Sequence, residues 1–226
     1  MCFRGPELKQ WLTAVLSSYI DCIHHTFPVL ARTKARVQSM LAQCPVALQN
    51  AFTNAFLAMV RSFMDAPPGQ DDAESLLASH FLSRWEMERH PRSRMTDLVH
   101  LQTLIMMVIE ADYHGVAAVK GLLPGPPKSS TLGRAAGVGY SMRLHLVEPS
   151  PKPDLTGDQD SDENIALRAW WSLVVLDRWT SIGTASPLLI STDSVVILPG
   201  LRHIVGDAVY RLIRKLHHTH CIQKSH

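Results

Sequence analysis

Residues 163–199 read ENIALRAWWSLVVLDRWTSIGTASPLLISTDSVVILP. Between Ala169 and Leu176 only Ser172 is polar, too little for a helix with one wet face. A helix that is apolar all round is buried centrally, with other helices packed on it. Its remaining polar side chains, Asn164, Arg168 and Ser172, recur at every fourth position and form one narrow stripe. Trp170, Trp171 and Trp179 bring the largest apolar areas available to any side chain, so all three are expected in the core. The helix is expected to stop near Gly183, with Ser186-Pro187 as an extended or turn dipeptide.

Outward from that stretch the chain is a succession of apolar stripes at helical spacing. Leu8, Trp11, Leu12, Val15, Leu16, Tyr19, Ile20 and Ile23 define a first amphipathic helix, with Pro6 suited to its first turn. It ends at His24-His25-Thr26-Phe27-Pro28, because Pro28 forces Phe27 out of the helical region. A second stripe runs from Pro45 through Leu48, Phe52, Phe56, Met59 and Phe63 to the break at Pro67-Pro68-Gly69. A third carries Leu76, Leu77, Phe81 and Trp85, and residues 90–94 form a basic loop, His-Pro-Arg-Ser-Arg. Thr96 is the expected N-cap of a helix over 98–112, whose middle, Leu104–Ile109, is apolar all round and is expected to pack against the tryptophan-rich helix.

Three prolines break the chain over 121–127, and a helix follows from Leu132 to Leu146. Gly137 and Gly139 interrupt it at about 1 kcal/mol each relative to alanine, so it is expected to be the loosest. Residues 148–162, EPSPKPDLTGDQDSD, have no apolar period and are expected to form a solvated, mobile loop. After Pro199, Leu201, Ile204, Val205, Ala208, Val209, Leu212, Ile213 and Leu216 restore helical spacing, with Arg202, Arg211, Arg214 and Lys215 mostly off that stripe. The fold class is therefore all-α, a single irregular multi-helix domain of roughly eight helices.

Composition narrows the function classes. The chain has 226 residues, 46% of them hydrophobic and 19% charged, with a formal net charge of +2. That suffices for a sizeable core, and it supplies no nucleic-acid surface of clustered Lys and Arg. No run reaches the roughly 18 apolar residues of a membrane span, so the expectation is a soluble intracellular protein without membrane contact. Cys2, Cys22, Cys44 and Cys221 stand singly, with no Cys-x-x-Cys pair to signal a disulfide framework or a sulfur-rich zinc site.

Several short patterns resemble those of the central regulatory region of fungal zinc-cluster transcription factors. They are Arg168-x-Trp170-Trp171-Ser172-Leu173-x-x-Leu176-Asp177-Arg178, then Pro187-x-x-Ile190, Asp193 and Leu198-Pro199. Phe27-Pro28-Val29-Leu30 after Tyr19 and His25, Leu101-Gln102-x-Leu104, and the helix ending Leu144-His145-Leu146 add to it. The resemblance covers about residues 12–199 and implies that Phe27, Pro28, Leu144, His145, Arg168, Trp170, Trp171, Leu176, Asp177, Arg178, Pro187, Leu198 and Pro199 form a structural core. It further implies a regulatory, effector-sensing module acting in the nucleus. Its partners would be transcriptional co-regulators or a full-length family member, with a small-molecule effector as a further candidate.

The chain departs from that pattern in four places. The pattern has Gly-Arg-Pro where this chain has Ala185-Ser186-Pro187. Arg143 replaces the Gly before Leu144. Gly137 stands where Arg is favoured, which removes one charge partner from Asp177. The six-cysteine cluster that such factors use on DNA is not among these 226 residues. No cofactor is therefore expected in this chain, zinc only if a cluster precedes it, and no sequence-specific DNA contact. By the resemblance the chain divides into a regulatory domain at 1–199 and a basic amphipathic helix and tail at 200–226. It reads as a truncated product, a gene-model fragment or a standalone modulator; the alternative is a protein-interaction or ligand-binding module with no transcriptional role.

No catalytic set emerges. Gly137-Val138-Gly139 lacks the third glycine of a dinucleotide loop, and close helix packing accounts for it better. His217, His218, His220 and Cys221 have metal-ligand chemistry, but a frayed basic tail is the simpler reading. His24 and His25 suit hydrogen bonding at a helix end. Asp177 beside Arg178 suits a buried charge pair better than a general base, since a buried carboxylate must be paired.

Overall fold

A computed structural model describes residues 6–64, 72–88, 91–114, 127–146, 159–197 and 200–223. Among them the regular elements are nine α-helices and two 3₁₀ turns, with no strand. The first helix, α1 (Pro6–Cys22), opens on a proline, whose missing N–H would have been unpaired there anyway. A short α2 (Lys34–Ala42) follows, one helix beyond those the apolar stripes reveal. Thr33 caps it, its hydroxyl accepting from the Arg36 N–H, while Val37 and Met40 face inward. Then come α3 (Val46–Ser62), buried on almost every side, and α4 (Asp72–Met87).

α5 (Arg94–His114) begins earlier than the sequence suggests, because its cap is Ser93 and not Thr96. The Ser93 hydroxyl accepts from the Thr96 N–H at 3.1 Å, and the Thr96 hydroxyl accepts from the Ser93 N–H at 2.8 Å. This is a reciprocal capping box, with Thr96 in the role that Glu or Gln usually plays. α6 (Lys128–Ser141) and a 3₁₀ turn (Leu144–Leu146) lead towards α7 (Asp162–Thr184), which Ser161 caps by accepting from the Asn164 N–H. A second 3₁₀ turn (Thr192–Ser194), α8 (Leu201–Val205) and α9 (Asp207–Gln223) complete the order.

The organising role falls to two helices, not one. α5 packs on α2, α3, α6 and α7, while α7 packs on α5, α6, α8 and α9. Val99, Leu101, Leu104, Ile105, Met106 and Val108 of α5 are fully buried, as the all-round apolar run requires. Trp170 and Trp171 are buried too. Trp179 is not, with 39% of its surface exposed. By that turn α7 has left the core, since Ile182, Gly183 and Thr184 are also exposed, and the indole makes an edge contact with Phe27 at 5.5 Å.

α6 meets α7 through a glycine. A β-carbon on Gly139 would lie 2.9 Å from the Trp170 ring, whereas one on Gly137 would touch nothing within 4 Å. The interior glycine thus does more than weaken its helix: it admits the largest side chain of α7. The tail departs from the single helix expected, because Gly206 (φ 84°) separates α8 from α9. Leu201, Val205, Val209 and Ile213 are buried, and both helices lie on α7. No helix among the described residues is long and apolar enough to cross a membrane.

Candidate functional site

Between α1 and α2 the chain runs through the interior without regular structure, and residues 27–31 are all buried. Buried irregular backbone must find hydrogen-bond partners, because each orphaned carbonyl costs about as much as a lost hydrogen bond. Side chains from three helices meet that need at four successive carbonyls. Tyr19 of α1 donates its hydroxyl to the Phe27 carbonyl at 2.8 Å. Arg168 of α7 donates through Nε to Pro28 at 3.2 Å and through Nη2 to Leu30 at 3.3 Å. Gln102 of α5 donates to Val29 at 2.8 Å.

Arg168 is the hub of this clasp. Its Nη2 also donates to Asp160 Oδ1 at 2.8 Å, and its Nη1 donates to the Gln159 carbonyl. The second Asp160 oxygen accepts from the Arg32 N–H at 2.7 Å. Asp160 is accordingly buried, against the expectation of a solvated loop through 162, because a guanidinium taken out of water needs a counter-charge beside it. Burial pulls the Arg168 guanidinium below its ordinary value, and Asp160 acts in the opposite direction. Residues 148–158 of that loop lie outside the described residues.

Tyr19 and His24 complete the cluster. The Tyr19 oxygen also accepts from the Leu30 N–H at 3.1 Å and lies 3.2 Å from His24 Nδ1. Arg32 Nε donates to His24 Nε2 at 3.3 Å, which leaves the imidazole proton on Nδ1, directed at Tyr19. Burial, reinforced by the charges of Arg168 and Arg32, pushes His24 down to about 4. Burial likewise pushes the Tyr19 hydroxyl up, and it remains protonated.

A second clasp closes the far end of α7. Asp177 accepts from the N–H groups of Leu189 and Ile190 at 3.0 and 3.1 Å, and Arg178 donates to the Ile190 carbonyl at 2.8 Å. Arg178 also pairs with Asp177 at 2.7 Å, so the partner lost with Gly137 is supplied from the next residue. Nearby, Trp170 packs against Tyr140 and His145, and the Tyr140 hydroxyl lies 3.0 Å from the Ser194 hydroxyl.

The residues singled out from sequence thus fall into three neighbourhoods. Pro28 meets Arg168 beside Phe27, which meets Tyr19; His145 lies by Trp170 next to the buried Leu144; Asp177 and Arg178 hold residues 189–190. Trp171 and Leu176 are buried in α7 and Pro187 lies exposed in the turn after it, while Leu198 and Pro199 fall outside the described residues. Asp160, Gln102 and Arg32 complete the first clasp and are not evident as partners from sequence. The available signal was Arg168 itself, a guanidinium in an otherwise apolar helix.

Among the described residues no group of three or more His, Cys, Asp or Glu side chains could hold a metal ion. The side chains of His217, His218, His220 and Cys221 are outside that set. The buried polar groups of both clasps are directed at main-chain atoms and at one another. This is chemistry that fixes a backbone path.

Residues 16–199 match the family described as the fungal specific transcription factor domain. Over 217 residues, 92% of this chain, the sequence is 30% identical to an uncharacterized transcriptional regulatory protein of Schizosaccharomyces pombe. The chain spans 24% of that relative's length. No solved structure matches it.

Proposed function

The chain belongs to the fungal specific transcription factor domain family, and on that premise we propose that it is a regulatory module working through contacts with co-regulator proteins or a larger family member in the nucleus. A role in transcription regulation follows from the family, which is not one of enzymes. The observation that carries the reading is the extent of the match, which runs from within α1 to Pro199 and so takes in both clasps and the whole of α7.

Protein contact is favoured over a small-molecule effector by the interior. The narrow space beneath Leu30, Met40, Phe52 and Gln102 has no room even for a water molecule. Residues 1–199 are taken as the regulatory domain, with residues 200–226 as its C-terminal helix and tail. Tethering the chain to a heterologous DNA-binding module upstream of a reporter tests the proposal. Transcription should move severalfold from the level set by the module alone, and an unchanged level in both activated and basal reporters would overturn it.

A further inference from the structure

The basic loop ahead of α5 is used by neither clasp. Its residues face the turn that follows α6 across an open groove of about 540 Å³, lined by Arg92, Arg94, Asp97, Met142, Arg143 and Leu146. The charges there are unequally engaged. The Arg92 guanidinium lies 4.6 Å over the Trp85 ring and 3.5 Å from Asp97. Arg94 and Arg143 are exposed and form no ion pair among the described residues. Beside them Leu146 is 66% exposed, and Met142 packs part-buried against the core.

We propose that this groove docks an acidic segment of a partner protein, one in which carboxylates alternate with apolar side chains. The inference rests on the regulatory reading above and names the chemistry of the partner. Two unpaired guanidinium groups present planar forks that match carboxylates. Leu146 and Met142 offer apolar surface between them, which suits peptide side chains and has no use on a phosphate backbone. Asp97 is answered by Arg92, and a net charge of only +2 argues against nucleic acid, whose binding draws on many cationic contacts.

The test uses the full chain and a fluorescein-labelled twelve-residue peptide alternating Glu with Leu, read by anisotropy. A Lys-Leu peptide, free glutarate and a DNA duplex serve as comparators. The acidic peptide should bind and weaken as salt shortens the screening length. The double variant Arg94→Glu, Arg143→Gly should bind it about tenfold more weakly, on the scale of two solvent-exposed ion pairs. Glycine at 143 relieves a left-handed backbone, so misfolding does not explain such a loss. Neither the Lys-Leu peptide nor the duplex should bind, and glutarate should not compete. No binding of the acidic peptide, equal binding by the variant, or displacement by glutarate or duplex overturns the proposal. A reporter that responds while the peptide fails sinks only the groove, whereas a silent reporter sinks the regulatory reading itself.

Discussion

At the scale of the residue, two glycines of α6 with different room around them make opposite predictions. Gly139→Ala places a methyl against a Trp170 ring that Tyr140 and His145 already confine. Overpacking of that kind costs about 1–3 kcal/mol, more than the ~1 kcal/mol alanine contributes to helix propensity. Gly137→Ala meets nothing and should stabilise by about 0.5–1 kcal/mol. Urea midpoints of the two variants should therefore move in opposite directions. Among the described residues the two non-glycines in left-handed conformation, Arg143 (φ 57°) and Ala185 (φ 53°), stand where the resembled pattern has glycine. Ala185→Gly should raise stability by a few tenths to about 1 kcal/mol, read by the same midpoint.

His24 supplies the pH dependence. It protonates near 6.5 in the unfolded chain and near 4 in the folded one, so the unfolded state binds more protons between those values. Its contribution is complete above about pH 6.5 and is lost as pH falls towards 4, on the order of 3 kcal/mol in all. Unfolding midpoints at pH 7 and pH 4.5 should differ less in His24→Gln than in the parent chain; an equal difference would remove His24 as the cause. Loss of Arg168 is harsher. Arg168→Leu strands a buried Asp160 and leaves three carbonyls without donors, which costs about 3–5 kcal/mol for the broken pair alone. Circular dichroism should show a largely unfolded chain.

At the scale of the element, what the sequence reveals depends on length and periodicity. Leu104–Ile109 and the run around Trp170-Trp171 are legible because apolar surface on every side has one physical solution. α2 escapes notice because nine residues with inward Val37 and Met40 make barely two turns of stripe. The two clasps are only half legible: Arg168 and Asp177 stand out as charges in apolar company, but their acceptors are main-chain carbonyls and amides, which every residue possesses. Asp160 is hidden for another reason, since one acid in a run with Asp158, Asp162 and Glu163 carries no mark of burial. Trp179 is misread because hydrophobicity says nothing about where a helix leaves the core. The tail tests the packing of α8 and α9 on α7. A chain ending at Pro199 would uncover the α7 surface beneath Leu201, Val205, Val209 and Ile213, so it should melt lower and tend to aggregate. Equal melting, solubility and oligomeric state would deny the tail any docking role.

At the scale of the whole molecule, four buried charges, Arg168, Asp160, Asp177 and Arg178, hold backbone, and the others sum to a formal net charge of only +2. The chain alone should therefore show no sequence-specific DNA binding, which would ordinarily fall at ~10⁻⁸–10⁻¹¹ M. Mobility shifts against a randomised duplex pool decide it, and one enriched site that persists at raised salt would contradict the expectation.

The reach of the first clasp also sets a clock. Pro28 and the guanidinium that holds it are 140 residues apart. At about 5–20 residues per second, a ribosome needs roughly 10–30 s to make that span. Throughout that interval the carbonyls of Pro28 and Leu30 have no donor but water, and the path that buries them cannot close. The amino-terminal helices must therefore wait for α7 before they can settle, and a nascent chain halted short of it is exposed to capture by chaperones or proteases.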